Sequence, residues 1–99
     1  MAKPEAAVTL TKYKTREITL PRSKIVVSVP EDWHVSDTNA SQRYGKGDVP
    51  RTNLALAQRV CLFNGAKWTI EDIEEKISGR DWLKLIGELY TDEDDAKNE

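Results

Sequence analysis

The stretch from Leu54 to Tyr90 constrains this chain most, because two helix starts are written in it one after the other. Thr69 stands ahead of an apolar-periodic run with Asp72 three residues on, so the hydroxyl can accept an amide of the first turn while the carboxylate reaches back to the cap. Trp68 and Ile73 sit where a hydrophobic staple would close across that cap. Ser78 and Asp81 repeat the capping pair, and Ile77 and Trp82 repeat the staple. The pattern predicts two short helices, about Ile70 to Ile77 and Arg80 to Tyr90. An earlier helix opens after Pro50 with Thr52 or Asn53 as its cap, and ends at Asn64 and Gly65, residues suited to a left-handed C-terminal turn.

These helices carry three apolar stripes: Leu54, Ala57, Val60, Cys61 and Leu62; Ile70, Ile73 and Ile77; and Trp82, Leu85, Ile86 and Leu89. With 99 residues, 38% of them hydrophobic, the chain makes one domain with a small core. A stripe left uncovered in such a domain can be completed by another copy, so a homo-oligomer is expected.

Upstream, residues 15–30 read TREITLPRSKIVVSVP. Ile18 and Leu20 alternate with polar neighbours, and Ile25 to Val29 is β-branched at four of five positions, which predicts a hairpin turning at Pro21 to Lys24. Pro21 donates no amide hydrogen and belongs at the turn or on an unpaired edge. A lone two-stranded ribbon is marginal in water, so its apolar face must pack on the helices or extend a neighbour's sheet. Residues 31–49 are rich in Ser, Asn, Asp and Gly without a sustained period, and read as a linker docked at one end by Trp33 and Val35. Gly45 and Gly47 there lack the Lys and Ser or Thr that complete a phosphate loop.

The expected organisation is therefore an α+β fold: a flexible segment 1–14, a single domain 15–90 (hairpin 15–30, linker 31–49, about three helices over 51–90), and an acidic disordered tail 91–99. A short strand from Val8 to Tyr13 is the competing reading of the amino-terminal end. No apolar run is long enough to span a bilayer and no leader pattern opens the chain, so an intracellular protein is expected. A single cysteine makes no internal disulfide.

Chemistry is poorly supplied. His34 and Cys61 are the only residues of their types, and Cys61 sits in an apolar stripe, where a thiol behaves as a small hydrophobe. No paired Cys or His spacing suggests a metal, and Asp92 to Asp95 lacks the glycine turn of a calcium loop. An enzyme, a cofactor and a metal site are not expected. Charge is uneven: residues 1–51 carry nine Lys or Arg against six Asp or Glu, and residues 52–99 six against eleven, or +3 and −5. Lys12, Lys14, Arg16, Arg22 and Lys24 are too scattered, with too few aromatics, for the stripe of a nucleic-acid binder. A protein partner is the expectation.

The order of these elements resembles a known family. ITLPRSKIVVSVP, a variable linker, and then LAQRVCLFNGAKWTIEDIEEKISGRDWLKLIGEL are similar to the small tail assembly chaperones of long-tailed bacteriophages, with a strand ending in Leu-Pro, a "T-x-E-D-I-E" segment and a final "D-x-L-x-L" helix. The likeness covers about two thirds of the chain, and its motifs are capping and core patterns. It implies a protein of the host cytoplasm that coats the helical tape measure protein and keeps it soluble until the tail tube polymerises. Candidate contacts are Trp68, Ile73, Trp82, Leu85, Ile86 and Leu89, as walls of an apolar slot, and Ile25 and Val27 on the second strand. Each of these is also an ordinary core residue by type. The competing function is a small phage- or mobile-element-encoded inhibitor or regulator that binds a host protein or nucleic acid through the basic half.

Overall fold

The computed structural model describes residues 13–91; the sequence readings for 1–12 and 92–99 lie outside the described residues. The fold is α+β, in the order β1 (Thr15–Thr19), β2 (Val26–Pro30), α1 (Val35–Gly45), α2 (Val49–Val60), β3 (Leu62–Phe63), α3 (Ile70–Lys76) and α4 (Gly79–Leu89). The hairpin forms as its pattern requires. Leu20 and Ile25 bracket the turn, with the Leu20 amide donating to the Ile25 carbonyl (2.9 Å) and Lys24 in the left-handed region at φ 63°. In register, Arg16 faces Val29 and Ile18 faces Val27.

Three expectations are corrected among the described residues. The first is that a helix, α1, lies within the segment 31–49 read as a linker, in addition to the three helices that follow it as expected. Its buried row is Asp37, Ser41 and Gly45, spaced four apart, so the inward face exists without an apolar period to reveal it. Trp33 packs against the core as expected, whereas Val35 is exposed. Gly45 lets α1 and α2 approach closely, since a Cβ there would lie 1.9 Å from Thr52 Oγ1 and 2.9 Å from the Thr52 amide. Lys46 and Gly47, at φ 51° and 89°, then reverse the chain.

A second correction concerns α2. Asp48, not Thr52 or Asn53, caps it by accepting the Arg51 amide at 3.1 Å, and Val49 and Pro50 form its first turn, where proline costs no hydrogen bond. The helix stops at Val60, capped at its end by Lys67, whose ammonium donates to the Gln58 and Arg59 carbonyls at 3.2 and 2.8 Å. Leu62 and Phe63 leave it to become β3. Asn64 and Gly65 are left-handed, as anticipated, at φ 54° and 81°, but they turn a hairpin between Phe63 and Ala66 instead of ending a helix.

Because β3 pairs antiparallel with β2, through Val27 with Phe63 and Ser28 with Leu62, β2 is the central strand of an ordered β1-β2-β3 sheet. This gives the third correction: Ile25 and Val27 are not an edge available to a neighbour's sheet. Leu20, Ile25, Val27 and Val29 bury against Leu56, Ala57, Val60, Cys61 and Phe63, and α3 and α4 close the core with Ile73, Ile77, Leu85 and Leu89. Tyr13, read as part of a flexible segment, is held: its hydroxyl donates to Asp37 and accepts the His34 amide at 3.0 Å.

Candidate functional site

The two capping pairs behave differently, and the difference sets the position of α4. Thr69 and Asp72 form the full reciprocal box, at 3.0 and 3.2 Å. Ser78 accepts the Asp81 amide at 3.2 Å, but the Asp81 carboxylate turns away to accept the amides of Arg22 (3.1 Å) and Ser23 (2.6 Å) in the β1–β2 turn. The Ser78 amide in turn donates to Ser23 Oγ at 3.2 Å. Hairpin turn and helix start are thus tied to each other. Burial pushes the Asp81 carboxyl up, but hydrogen bonds from Ser23 and the Arg22 amide, with the Arg22 charge, outweigh it and hold it below the usual carboxylate range.

A folded-state carboxyl held below its unfolded value contributes stability above the unfolded carboxylate range and loses it as pH falls through the folded value. Asp81→Asn is therefore expected to lower the melting temperature at pH 7 and to flatten its fall between about pH 5 and 3. Melting curves across that range check this; parallel curves for the two proteins would count against the tie.

From Asp81 onward α4 presents an apolar arc wider than its buried side. Asp81, Leu85 and Leu89 form the inward row. The next row, Trp82, Ile86 and Tyr90, passes from half-buried to 50% exposed, and Leu83 beyond it is 71% exposed. Residues three and four apart are neighbours on a helix, so Leu83, Ile86 and Tyr90 make a continuous strip that begins beside Trp82. Tyr90 is fixed at the end of this strip: its hydroxyl donates to Asn53 Oδ1 at 3.0 Å, and its ring meets Trp33 edge-on at 6.1 Å.

The eight residues nominated from sequence therefore separate. Ile25, Val27, Ile73, Leu85 and Leu89 are in the closed core, since the sheet and α2 cover them; they do not wall an open slot. Trp68, Trp82 and Ile86 are half-buried at its margin. Trp68 stacks on Phe63 at 4.9 Å and has Lys76 Nζ 5.1 Å from its ring centroid, which leaves Trp82 and Ile86 as the nominated residues that join the exposed strip. Leu83 and Tyr90 were missed. Their signal was present as apolar residues outside the inward stripe of the last helix.

Cys61 is fully buried, and burial pushes its thiol up to about 12 against the opposing charge of Lys67, whereas His34 is exposed at the start of α1. Among the described residues no group of three or more His, Cys, Asp or Glu is placed to hold a metal ion. Arg16, one of the basic residues of the amino-terminal half, pairs with Glu88 Oε1 at 3.0 Å and donates to the Glu88 carbonyl at 3.0 Å. An open groove of about 400 Å³ lies between Tyr44, Ala55, Arg59 and Ile70. Two of its polar side chains are engaged within the fold: Arg59 holds Asp37, and Gln58 Nε2 donates to the Trp68 carbonyl at 3.2 Å. No helix of the described residues is long and apolar enough to cross a membrane.

Comparison of the chain with protein-family models, with curated proteins and with solved structures finds no match.

Proposed function

We propose that this chain is a tail assembly chaperone of a long-tailed bacteriophage, acting in the host cytoplasm to hold the tape measure protein soluble until the tail tube forms around it. One observation supports this reading above the others. In the "D-x-L-x-L" segment, Asp81 ties the hairpin turn and Leu85 fills the core, but Leu83 is 71% exposed and meets no folding need. A large aliphatic kept on the surface beside Trp82, Ile86 and Tyr90 suits the apolar face of a partner helix laid along α4. The remaining resemblance is carried by elements that fold as the motifs require, the Leu20-Pro21 turn and the Thr69–Asp72 box.

The test is co-expression with the product of the long, helix-rich reading frame expected just downstream of this gene. The soluble fraction of that product should rise several-fold with the unaltered chain and return to its starting level with Leu83→Asp. Aggregation that is the same with and without the chain would overturn the reading.

A further inference from the structure

Asn64 is followed by Gly65, whereas Asn39, Asn53 and Asn98 are followed by Ala40, Leu54 and Glu99, so the chain holds a single Asn-Gly step. Attack of a glycine main-chain nitrogen on the side-chain carbon Cγ of the asparagine before it closes a five-membered ring, and glycine has no side chain to hinder the approach. The fold leaves this step open. Asn64 and Gly65 are exposed, and a Cβ added at Gly65 would meet nothing within 4 Å. The bonds across the turn are made by Phe63 and Ala66, and the Gly65 amide donates to no group among the described residues. Its counterparts after Asn39 and Asn53 are held: Ala40 and Leu54 lie inside α1 and α2, where each amide donates to the carbonyl four residues back.

One contact goes further than leaving the step open. The Val26 amide donates to Asn64 Oδ1 at 2.9 Å, and this is the oxygen on which negative charge develops as Cγ becomes tetrahedral. The backbone of β2 thus supplies a fixed donor to the atom that needs one in the transition state. The Asn64 amide, donating to the Val26 carbonyl at 2.7 Å, keeps the turn in place against β2 around it.

We propose that Asn64 is a site of spontaneous covalent modification in the folded chain, losing its side-chain amide by ring closure with Gly65. The Gly65 nitrogen gives its proton to hydroxide and forms a bond to Cγ; the Cγ–Nδ2 bond breaks, and Nδ2 takes a proton from water and leaves as ammonia. Water then opens the cyclic imide at one of its two carbonyls. Opening at Cγ gives aspartate, which keeps an acceptor for the Val26 amide. Opening at the main-chain carbonyl gives isoaspartate, in which the chain runs through Cβ. That adds a main-chain atom to a two-residue turn whose bonds hold Phe63 to Ala66 at 2.7 and 3.0 Å. Phe63 then loses its register opposite Val27, so a change at an exposed turn reaches the core. The inference does not rest on the tail assembly reading, and its test needs no phage protein.

The full chain is held in mildly alkaline buffer at physiological temperature, with and without urea, then digested with trypsin and weighed by mass spectrometry. The peptide 60–67, released by cleavage after Arg59 and Lys67, should gain the mass of an amide exchanged for an acid, in two products that elute apart. It should do so at least as fast in buffer as in urea, and faster as pH rises. The peptides carrying Asn39 and Asn53 should keep their amides in buffer. Asn64→Asp carries the charge of the product without the extra main-chain atom, so it should melt close to the unaltered chain, and the isoaspartate fraction of the aged chain should melt lower. An Asn64 peptide that keeps its amide in buffer while losing it in urea would overturn the proposal, as would equal loss at Asn39 and Asn53. Equal melting of the isoaspartate fraction and Asn64→Asp would overturn the effect on β3.

Discussion

Replacing Phe63 by alanine is expected to remove about 3–5 kcal/mol of folding stability, the range for deleting a fully buried aromatic ring. Small domains hold about 5–15 kcal/mol in total, so the variant should sit close to its unfolding threshold. The size of the effect follows from where the ring lies. Phe63 is 0% exposed, belongs to β3, and exchanges two hydrogen bonds with Ala66 at 2.7 and 3.0 Å across the Asn64-Gly65 turn. It pairs with Val27 on the central strand and stacks on Trp68 with the planes 15° apart. Its loss therefore opens a cavity at the junction of sheet, α2 and the approach to α3. Phe63→Leu keeps most of the volume but not the stacked pair, and should cost about 1–2 kcal/mol. Urea unfolding followed by circular dichroism measures both. An alanine variant within about 1 kcal/mol of the unaltered chain would show that β3 is not part of the cooperative core.

Phe63 also shows where the sequence misleads. Val60, Cys61, Leu62 and Phe63 continue an apolar stripe past the point where the helix stops, and Asn64-Gly65 serves equally as a helix end or a hairpin turn. What decides between them is not local. The edge of β2 needs a partner, and two residues of β3, reinforced by the Val26 amide donating to Asn64 Oδ1 at 2.9 Å and the Asn64 amide donating to the Val26 carbonyl at 2.7 Å, supply it. Caps and staples, by contrast, are contained within a few residues. Thr69 with Asp72 could be read directly, and so could the inward row of Leu85 and Leu89. The half-read case is Asp81, whose position predicts a box and whose carboxylate is taken by a turn nearly sixty residues away in sequence.

The candidate surface was legible to a similar degree. Apolar spacing in the last helix points to Trp82 and Ile86, but the same spacing selects Leu85 and Leu89, and only the packing of α2 and the sheet separates covered from uncovered. Leu83 and Gly87 drop out of any argument from periodicity because they lie off the inward stripe. Once the inward face is known, they become the informative residues. An exposed leucine and a glycine whose added Cβ would meet nothing within 4 Å mark the outward face of α4.

The second large effect is expected at Asp37, where the fold replaces an apolar contact with charge. Asp37 Oδ1 accepts from Arg59 Nε and Nη2, both at 3.0 Å, while the Tyr13 hydroxyl donates to Oδ2. The carboxylate is buried and heads the inward row of α1, above Ser41, whose hydroxyl donates to the Asp37 carbonyl at 2.8 Å. Through it the chain entering β1 and the end of α2 are fastened to α1, which has few apolar residues of its own with which to hold them. Asp37→Ala removes charge-assisted bonds on two sides and should cost about 2–4 kcal/mol, short of the full cost of a stranded buried charge because the Arg59 side chain is 41% exposed and can return to water. Asp37→Asn keeps the shape but not the charge and should fall between. In a double-mutant cycle with Arg59→Ala, the coupling should be about 1–2 kcal/mol. Loosening Tyr13 should also speed tryptic cleavage after Lys14, measured under conditions where the rest of the chain stays folded. If Asp37→Ala unfolds at the urea midpoint of the unaltered chain and cleavage is no faster, α1 is held by its approach to Thr52 at Gly45 and not by this carboxylate.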